Sequence, residues 1–487
     1  MSIMKKDREK NNGGVKRRGA SPSGAARHDR KSKPSPKGCA RGASAKSSSH
    51  AGEKRRTCDL CPVFDRCGAC SMLDVPYGEQ LKIKQRLIAD LFADLAPAEA
   101  VHPVIGMDDP FHYRNKVISP YAPGSPVRSS RKGRGRADAA RAGGPVRREI
   151  LTGMYAKGTH RLIPTDTCAL ENEVAKRVTL AVRDLMRKWD IEPYDEDAGC
   201  GFMRHAVVRV GHASGEVLVT LVTNDDAFPS SKSFCRELVK RVPEITTVVQ
   251  NVNMRKTNVI LGDRERTLFG PGFILDELCG LSFRISSKSF YQVNATQTEV
   301  LYRCAIELAE LAGKETVIDA YCGTGTIGLA AARAGARRVI GVDNVESAIV
   351  DARQNAAHNG IENAEFVSLD AGAFMQALAV KRADEDAGGS ADGSSDRDEL
   401  VLLMDPPRAG SSERFLDAAA QMAPDRIVYI SCNPQTQARD VAYLRRAGYE
   451  VDAVCPVDMF PHTDHVECIC RMRRAQGRSR GQDREEA

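Results

Sequence analysis

Residues 401–436 read VLLMDPPRAGSSERFLDAAAQMAPDRIVYISCNPQT, and two apolar runs here stop abruptly. Leu400–Met404 ends in Asp405-Pro406-Pro407-Arg408, and Ile427–Ile430 ends in Ser431-Cys432-Asn433-Pro434. Short β-rich runs that halt at a proline turn have the pattern of buried parallel strands, and open α/β sheets bind ligands at the carboxyl ends of such strands. Cys432 stands at one of those ends and is a candidate nucleophile. Cysteine is also a common small core residue. The Asn-Pro after Cys432 argues against that use here, whereas Cys322, Cys455, Cys468 and Cys470 suit it.

Upstream, from about residue 286, the pattern predicts a helix (294–312), a strand (Thr316–Asp319), the turn Gly323-Thr-Gly325-Thr-Ile-Gly328 and a helix to Ala334. A strand (Arg338–Asp343), a helix (346–358) and a strand (Ala364–Asp370) follow, and Val451–Val454 and Glu467–Met472 close the fold. This βαβαβ order indicates an α/β, doubly wound, Rossmann-like domain. The glycine turn formally matches a dinucleotide fingerprint. Asp343 after the second strand suits a ribose diol in either case. Asp370 after the third strand and DPPR after the fourth are instead the layout of a class I S-adenosylmethionine methyltransferase. Singly, Asp343 and Asp370 could as well be helix N-caps; their joint spacing favours the cofactor.

The rest of the chain is uneven in charge. Residues 1–57 carry 17 Lys/Arg against 4 Asp/Glu, a local +13, so the remaining residues sum to −6 of the total +7. Such a Ser-, Gly- and Pro-rich basic tail is expected to be disordered, and suits a polyanion such as RNA or simple solubilisation. Cys58, Cys61, Cys67 and Cys70 fall within 13 residues, in a sequence with no signal-peptide pattern and no apolar run long enough to span a bilayer. A cytoplasmic protein with clustered thiols points to metal ligands. A four-Cys zinc site and an iron–sulfur site completed by a distant cysteine are both compatible with the spacing. Residues 76–97 predict an amphipathic helix, and residues 204–283 predict a mostly antiparallel domain built from AVVRVG, VLVTLVT, ITTVVQNVN, NVILG, TLFG and LSFRIS, with a helix near 231–242. The expected organisation is a tail (1–57), a cysteine segment (58–75), a β-rich central domain (76–285) with a basic insertion (121–148), a methyltransferase domain (286–475) with an acidic insertion (381–399), and a second tail (476–487).

DPPR followed by SCNP resembles the RNA uracil-5-methyltransferases, which make 5-methyluridine in tRNA and 23S ribosomal RNA. SFYQVN (289–294), DAYCGTGTIGL (319–329), MFPHTDHVE (459–467), CPVFDRCGAC and the YRNK at 113–116 match as well. The resemblance implies that Cys432 is the nucleophile and Glu467 the general base. It implies donor contacts from Gln292, Tyr321, Thr326, Asp343, Asp370 and Asp405, and a [4Fe-4S] cluster on Cys61, Cys67, Cys70 and Cys168, with Cys58 left over. His462 and His465 then orient a loop rather than bind metal. Many relatives begin with a small β-barrel; residues 1–57 cannot form one, so RNA docking falls to the central domain and the basic segments.

Overall fold

The structure is a computed structural model and describes residues 58–127, 147–387 and 399–475. Helix α1 (Tyr77–Phe92) buries Gln80, Lys84, Ile88 and Phe92. These are spaced four apart, a single stripe on a 3.6-residue helix. Ile88 and Phe92 enter the apolar core of the second large sheet described below. This first helix is therefore part of the packing of the second large sheet, although sequence order places it at the head of the central domain.

The first sheet has seven strands in the order β3-β2-β1-β4-β5-β6-β7. They are β1 (Lys116–Pro126), β2 (Arg148–Tyr155), β3 (Leu162–Pro164), β4 (Met203–Val210), β5 (Val217–Thr223), β6 (Ile245–Val252) and β7 (Arg264–Phe269). Helices α2 (Glu173–Lys188) and α3 (Ser231–Arg241) pack on one face, over Val117, Ala206, Val208, Val219 and Val248. Asn172 caps α2 by accepting from the amides of Val174 and Ala175. Every pair in this sheet is antiparallel except β5 with β6, which α3 connects.

Three local expectations change. NVILG (258–262) is a loop: the side-chain amide of Asn253 donates to the carbonyls of Val259 and Ile260, and that of Asn251 to Gly262, so the segment's carbonyls bond without a ladder. The basic insertion expected from residue 121 begins later, because β1 and β2 stay paired as far as Pro126 and Arg148. Residues 128–146 lie outside the described residues. The acidic insertion likewise loses its first residues to a helix that runs to Ala387; residues 388–398 are not described.

A hairpin of β8 (Phe273–Leu278) and β9 (Leu281–Ser286) leads to α4 (Ala295–Ala309) and the second sheet. Its elements alternate as β10 (Glu315–Ala320), α5 (Thr326–Arg333), β11 (Arg338–Asp343), α6 (Glu346–His358), β12 (Ala364–Ser368), α7 (Ala371–Ala387), β13 (Glu399–Met404), α8 (Glu413–Met422), β14 (Arg426–Ser431), α9 (Pro434–Arg446), β15 (Tyr449–Val457) and β16 (Glu467–Arg474). The strand order is β12-β11-β10-β13-β14-β16-β15, parallel from β12 to β14, with β16 antiparallel to both of its neighbours. Order reverses beside β10, which places a ligand crevice outside the carboxyl ends of β10, β11 and β13. Val401, Leu403, Val428 and Ile430 face one core, and Leu402, Met404, Ile427 and Tyr429 the other. That two-sided burial explains the unbroken apolar runs.

Candidate active site

The glycine-rich turn joins β10 to α5 as a sequence of left-handed residues: Tyr321 has φ 66°, Gly323 54° and Gly325 80°. Such φ values are cheap for glycine and costly for tyrosine, so Tyr321 is held by its contacts. Its ring packs against Phe415 at 5.3 Å between centroids, and its hydroxyl meets Ser411 Oγ at 3.4 Å. The turn is tied to the next strand end, where Asp343 Oδ2 accepts from the Gly323 amide at 3.0 Å and Oδ1 from Val345 at 2.9 Å. Asp370 is exposed and accepts from the Ala373 amide at 2.9 Å, so it serves the first turn of α7 as an N-cap does. Its charge raises the Tyr321 hydroxyl, less than burial does. Thr326 Oγ1 bonds the Tyr302 hydroxyl at 2.9 Å, and Gln292 is half-buried.

Beneath this turn lies Asp319, a carboxylate with no binding role in the sequence expectations. It is 1 % exposed and its Oδ2 has no hydrogen-bond partner. Burial pushes its carboxyl up to about 8, opposed by the Gly328 amide and supported by Asp405 and Asp343. A side chain at position 328 would come within 2.6 Å of Asp319 Oδ2, so the closeness of α5 to β10 needs glycine there. An aspartate ending a sequence-predicted strand was the available signal; its depth of burial was not.

The second cluster follows from strand register. β14 and β16 run antiparallel with Ser431 opposite Cys468, so the next residue of one strand, Cys432, comes beside the preceding residue of the other, Glu467. β13 lies parallel on the other flank of β14 with Met404 beside Tyr429, which brings Asp405 to the same rim. Electrostatics follow the geometry. Burial raises the Cys432 thiol, with Glu467 and Asp405 adding to it, while the Arg408 guanidinium, hydrogen-bonded to Cys432, lowers it. Glu467 is 3 % exposed; burial pushes its carboxyl up to about 8, Asp405 assists and Arg408 opposes. Desolvation pushes Asp405 up to about 7. Arg408, quoted above only as part of DPPR, thus supplies the positive charge of the cluster. Asn433 fixes the turn: its side chain donates to the Arg408 carbonyl and caps α9 at the Gln435 amide.

The loop before Glu467 is anchored to α1. Lys84 Nζ meets Asp458 Oδ1 at 2.6 Å with both side chains buried, and the Tyr77 hydroxyl donates to Asp458 Oδ2 at 2.9 Å. Gln80 Oε1 accepts from the His462 amide, and its Nε2 meets His462 Nδ1 at 3.1 Å. Phe111 stacks on the His462 ring at 4.8 Å. His462 therefore has a loop-holding environment. Cys61, Cys67, Cys70 and Cys168 lie within electrostatic reach of one another: burial raises Cys67, with Cys168 and Cys61 adding to it, and burial lifts Cys70 to about 12, with Cys168, Cys67 and Cys61 contributing. Cys58 Sγ instead donates to the Leu73 carbonyl at 3.5 Å. Among the described residues, no group of three or more His, Cys, Asp or Glu side chains is placed to hold a metal ion. The thiols share a neighbourhood without closing around an ion.

A doubly wound sheet with its reversal over a glycine turn, and acids at successive strand ends, defines an α/β methyltransferase fold. Comparison with known proteins is specific. Residues 274–475 match the model of the tRNA (uracil-5-)-methyltransferase family. An uncharacterised RNA methyltransferase of Halalkalibacterium halodurans is 40 % identical over 411 residues, covering 84 % of this chain and 82 % of the relative. One of Listeria monocytogenes is 40 % identical over 410 residues, with the same coverage of 84 % and 82 %. The crystal structure of Pyrococcus abyssi tRNA (uracil-54, C5)-methyltransferase with S-adenosyl-L-homocysteine shares the fold, at TM-score 0.62 and 24 % identity over 86 % of this chain and 88 % of that one. The chain belongs to the RNA uracil-5-methyltransferase family, and is an S-adenosylmethionine-dependent RNA methyltransferase. Among the described residues, no helix is long and apolar enough to cross a membrane.

Proposed function

We propose that the chain methylates carbon 5 of a uridine in RNA through a covalent adduct with Cys432, and that the RNA is 23S ribosomal RNA. The observation that carries the mechanism is the placement of Cys432 beside Glu467 and Arg408 at adjoining strand ends. Carbon 5 of uracil is too weak a nucleophile to take a methyl group unaided. The Cys432 thiolate adds to carbon 6, and the ring becomes an enolate whose carbon 5 is nucleophilic. S-adenosylmethionine, when bound, supplies the electrophilic methyl group. Glu467 then takes the carbon 5 proton, the electron pair reforms the ring double bond, and the thiolate leaves. Arg408 favours the thiolate by its charge, against the desolvation that disfavours it. Asp319, Tyr321, Asp343, Asp370, Asp405, Thr326 and Gln292 are assigned to the methyl-donor crevice. The target base must leave its stack to reach Cys432, which favours a loop or single-stranded uridine.

The family resemblance takes in both RNAs, with ribosomal RNA preferred here; tRNA is the alternative, and the matching family is that of tRNA (uracil-5-)-methyltransferases. Mapping 5-methyluridine in both RNAs from a deletion strain, complemented with wild type or Cys432→Ala, separates them. Loss from 23S RNA, restored by wild type alone, is expected; loss from tRNA alone would move the substrate, and restoration by Cys432→Ala would end the mechanism. Cys61, Cys67, Cys70 and Cys168 are proposed to hold a [4Fe-4S] cluster, tying the amino-terminal segment to the central domain. Four cysteine thiolates are the donor set such a cluster uses, and Cys67 and Cys70 each feel the charges of Cys61 and Cys168. Iron and sulfide in anaerobically purified protein, lost together in Cys168→Ser, would support it; their absence from wild type would refute it.

A further inference from the structure

β1 and β4 pair with Lys116 opposite Arg209, so both side chains leave the same face of the central sheet. Their strand neighbours Val117, Val208 and Val210 point the other way, into the core under α2 and α3. The face that carries the two cations is crossed by residues 289–293. Arg209 Nη2 donates to the Ser289 carbonyl, and the Asn115 amide donates to that of Val293 at 2.8 Å. Between those two ties lie Gln292 and Phe290, whose ring is 66 % exposed. The pair therefore borders the segment assigned above to the methyl-donor crevice.

The two cations have no acidic partner among the described residues, and Lys116 makes no hydrogen bond there. Arg209 is only 4 % exposed, and its Nε is buried with no partner. Adjacent buried cations repel, and each is costly to desolvate. Accordingly burial, then Arg209, brings the Lys116 ammonium down to about 8, and burial brings Arg209 down to about 10. An anion beside them relieves both costs at once. Lys116 is half-buried, whereas Arg209 is almost fully buried.

We propose that Lys116 and Arg209 form a phosphodiester-binding point for the RNA strand, seating one backbone phosphate beside the Phe290–Gln292 segment. The inference rests on the chain being an RNA methyltransferase. Lysine acts there as a point charge, and the buried Arg209 guanidinium adds positive field behind it. A phosphate held at this point fixes the register of the strand without reading its sequence.

The test uses full-length protein and a fluorescently labelled single-stranded RNA containing uridines, titrated by anisotropy at several salt concentrations. Lys116→Gln is expected to weaken binding about tenfold at low salt, as loss of one charge-assisted contact would, and to reduce the log–log salt slope by roughly 0.7, the value for one phosphate on a single strand. Lys116→Arg should restore most of both. Binding of S-adenosyl-L-homocysteine, measured by calorimetry, should be unchanged, which separates a strand phosphate from a donor carboxylate. Added inorganic phosphate at matched ionic strength should compete with RNA for wild type more than for Lys116→Gln. If Lys116→Gln binds RNA with unchanged affinity and slope, or loses S-adenosyl-L-homocysteine instead, the site is refuted while the methyltransferase function stands. If wild type fails to bind any RNA, both fall.

Discussion

Replacing Lys84 by Met tests whether α1 helps to position the loop that leads to Glu467. Lys84 and Asp458 are buried almost completely, at 1 % and 0 % side-chain exposure, and meet at 2.6 Å. Removing the ammonium leaves the Asp458 carboxylate in a dry interior with the Tyr77 hydroxyl as its remaining side-chain donor. Breaking a buried ion pair at one end costs about 3–5 kcal/mol, whereas replacing both ends by groups of similar shape costs much less. Tyr77 and the flexible methionine favour the lower figure, about 3 kcal/mol for Lys84→Met. Lys84→Met with Asp458→Asn should recover about 2 kcal/mol of it, since no charge is then left buried. Urea denaturation followed by circular dichroism measures both values and their coupling. The single variant should also lower methyl transfer, because Asp458 begins the loop that ends at Glu467. A cost below about 1 kcal/mol, or single effects that simply add in the double variant, would refute the reasoning.

Three buried carboxyls make stability depend on pH. Asp319 and Glu467 are raised to about 8 and Asp405 to about 7, so the folded protein holds protons that the unfolded chain releases. Stability from these groups is full below the ordinary carboxylate range and is lost as pH rises through about 7 to 8. Thermal melts of ligand-free protein should show Tm falling over that interval, and Asp319→Asn should flatten the fall; a Tm that rises instead would contradict the burial argument. Gly328→Ala should disturb donor binding, because the new methyl group would meet Asp319 Oδ2 at 2.6 Å. Calorimetry with S-adenosyl-L-homocysteine is expected to show about a tenfold loss, equivalent to about 1.4 kcal/mol; unchanged affinity would mean that the turn yields freely.

The catalytic half was legible because its signals are local. Apolar runs buried on both faces stop where chain direction must change, and Asp343, Asp405 and Cys432 stand at those stops. Asp370 shows the limit of such signals: its carboxylate caps α7, and the same spacing fits a cap and a ligand contact. Pairings made through space were not legible. Glu467 comes beside Cys432 because β16 enters antiparallel beside β14; in the sequence the family resemblance, not any local pattern, joined the two. Periodicity marked α1 as amphipathic but could not say which sheet it covers, nor that Lys84 on its buried stripe finds Asp458. NVILG has strand composition, yet two distant asparagines satisfy its carbonyls and hold it as a loop. Lys116 and Arg209 are far apart in sequence and become neighbours through register alone.

The central claim is that Cys432 and Glu467 divide attachment and release between them. Incubating Glu467→Gln with substrate RNA and S-adenosylmethionine, then resolving the products on a denaturing gel, tests it most directly. A covalent protein–RNA band carrying the transferred methyl group is expected, absent from Cys432→Ala and from the Cys432→Ala/Glu467→Gln double variant. Wild type should show little of it, with the methylated RNA released. Normal turnover by Glu467→Gln without an adduct, or an adduct that persists in Cys432→Ala, would contradict the account.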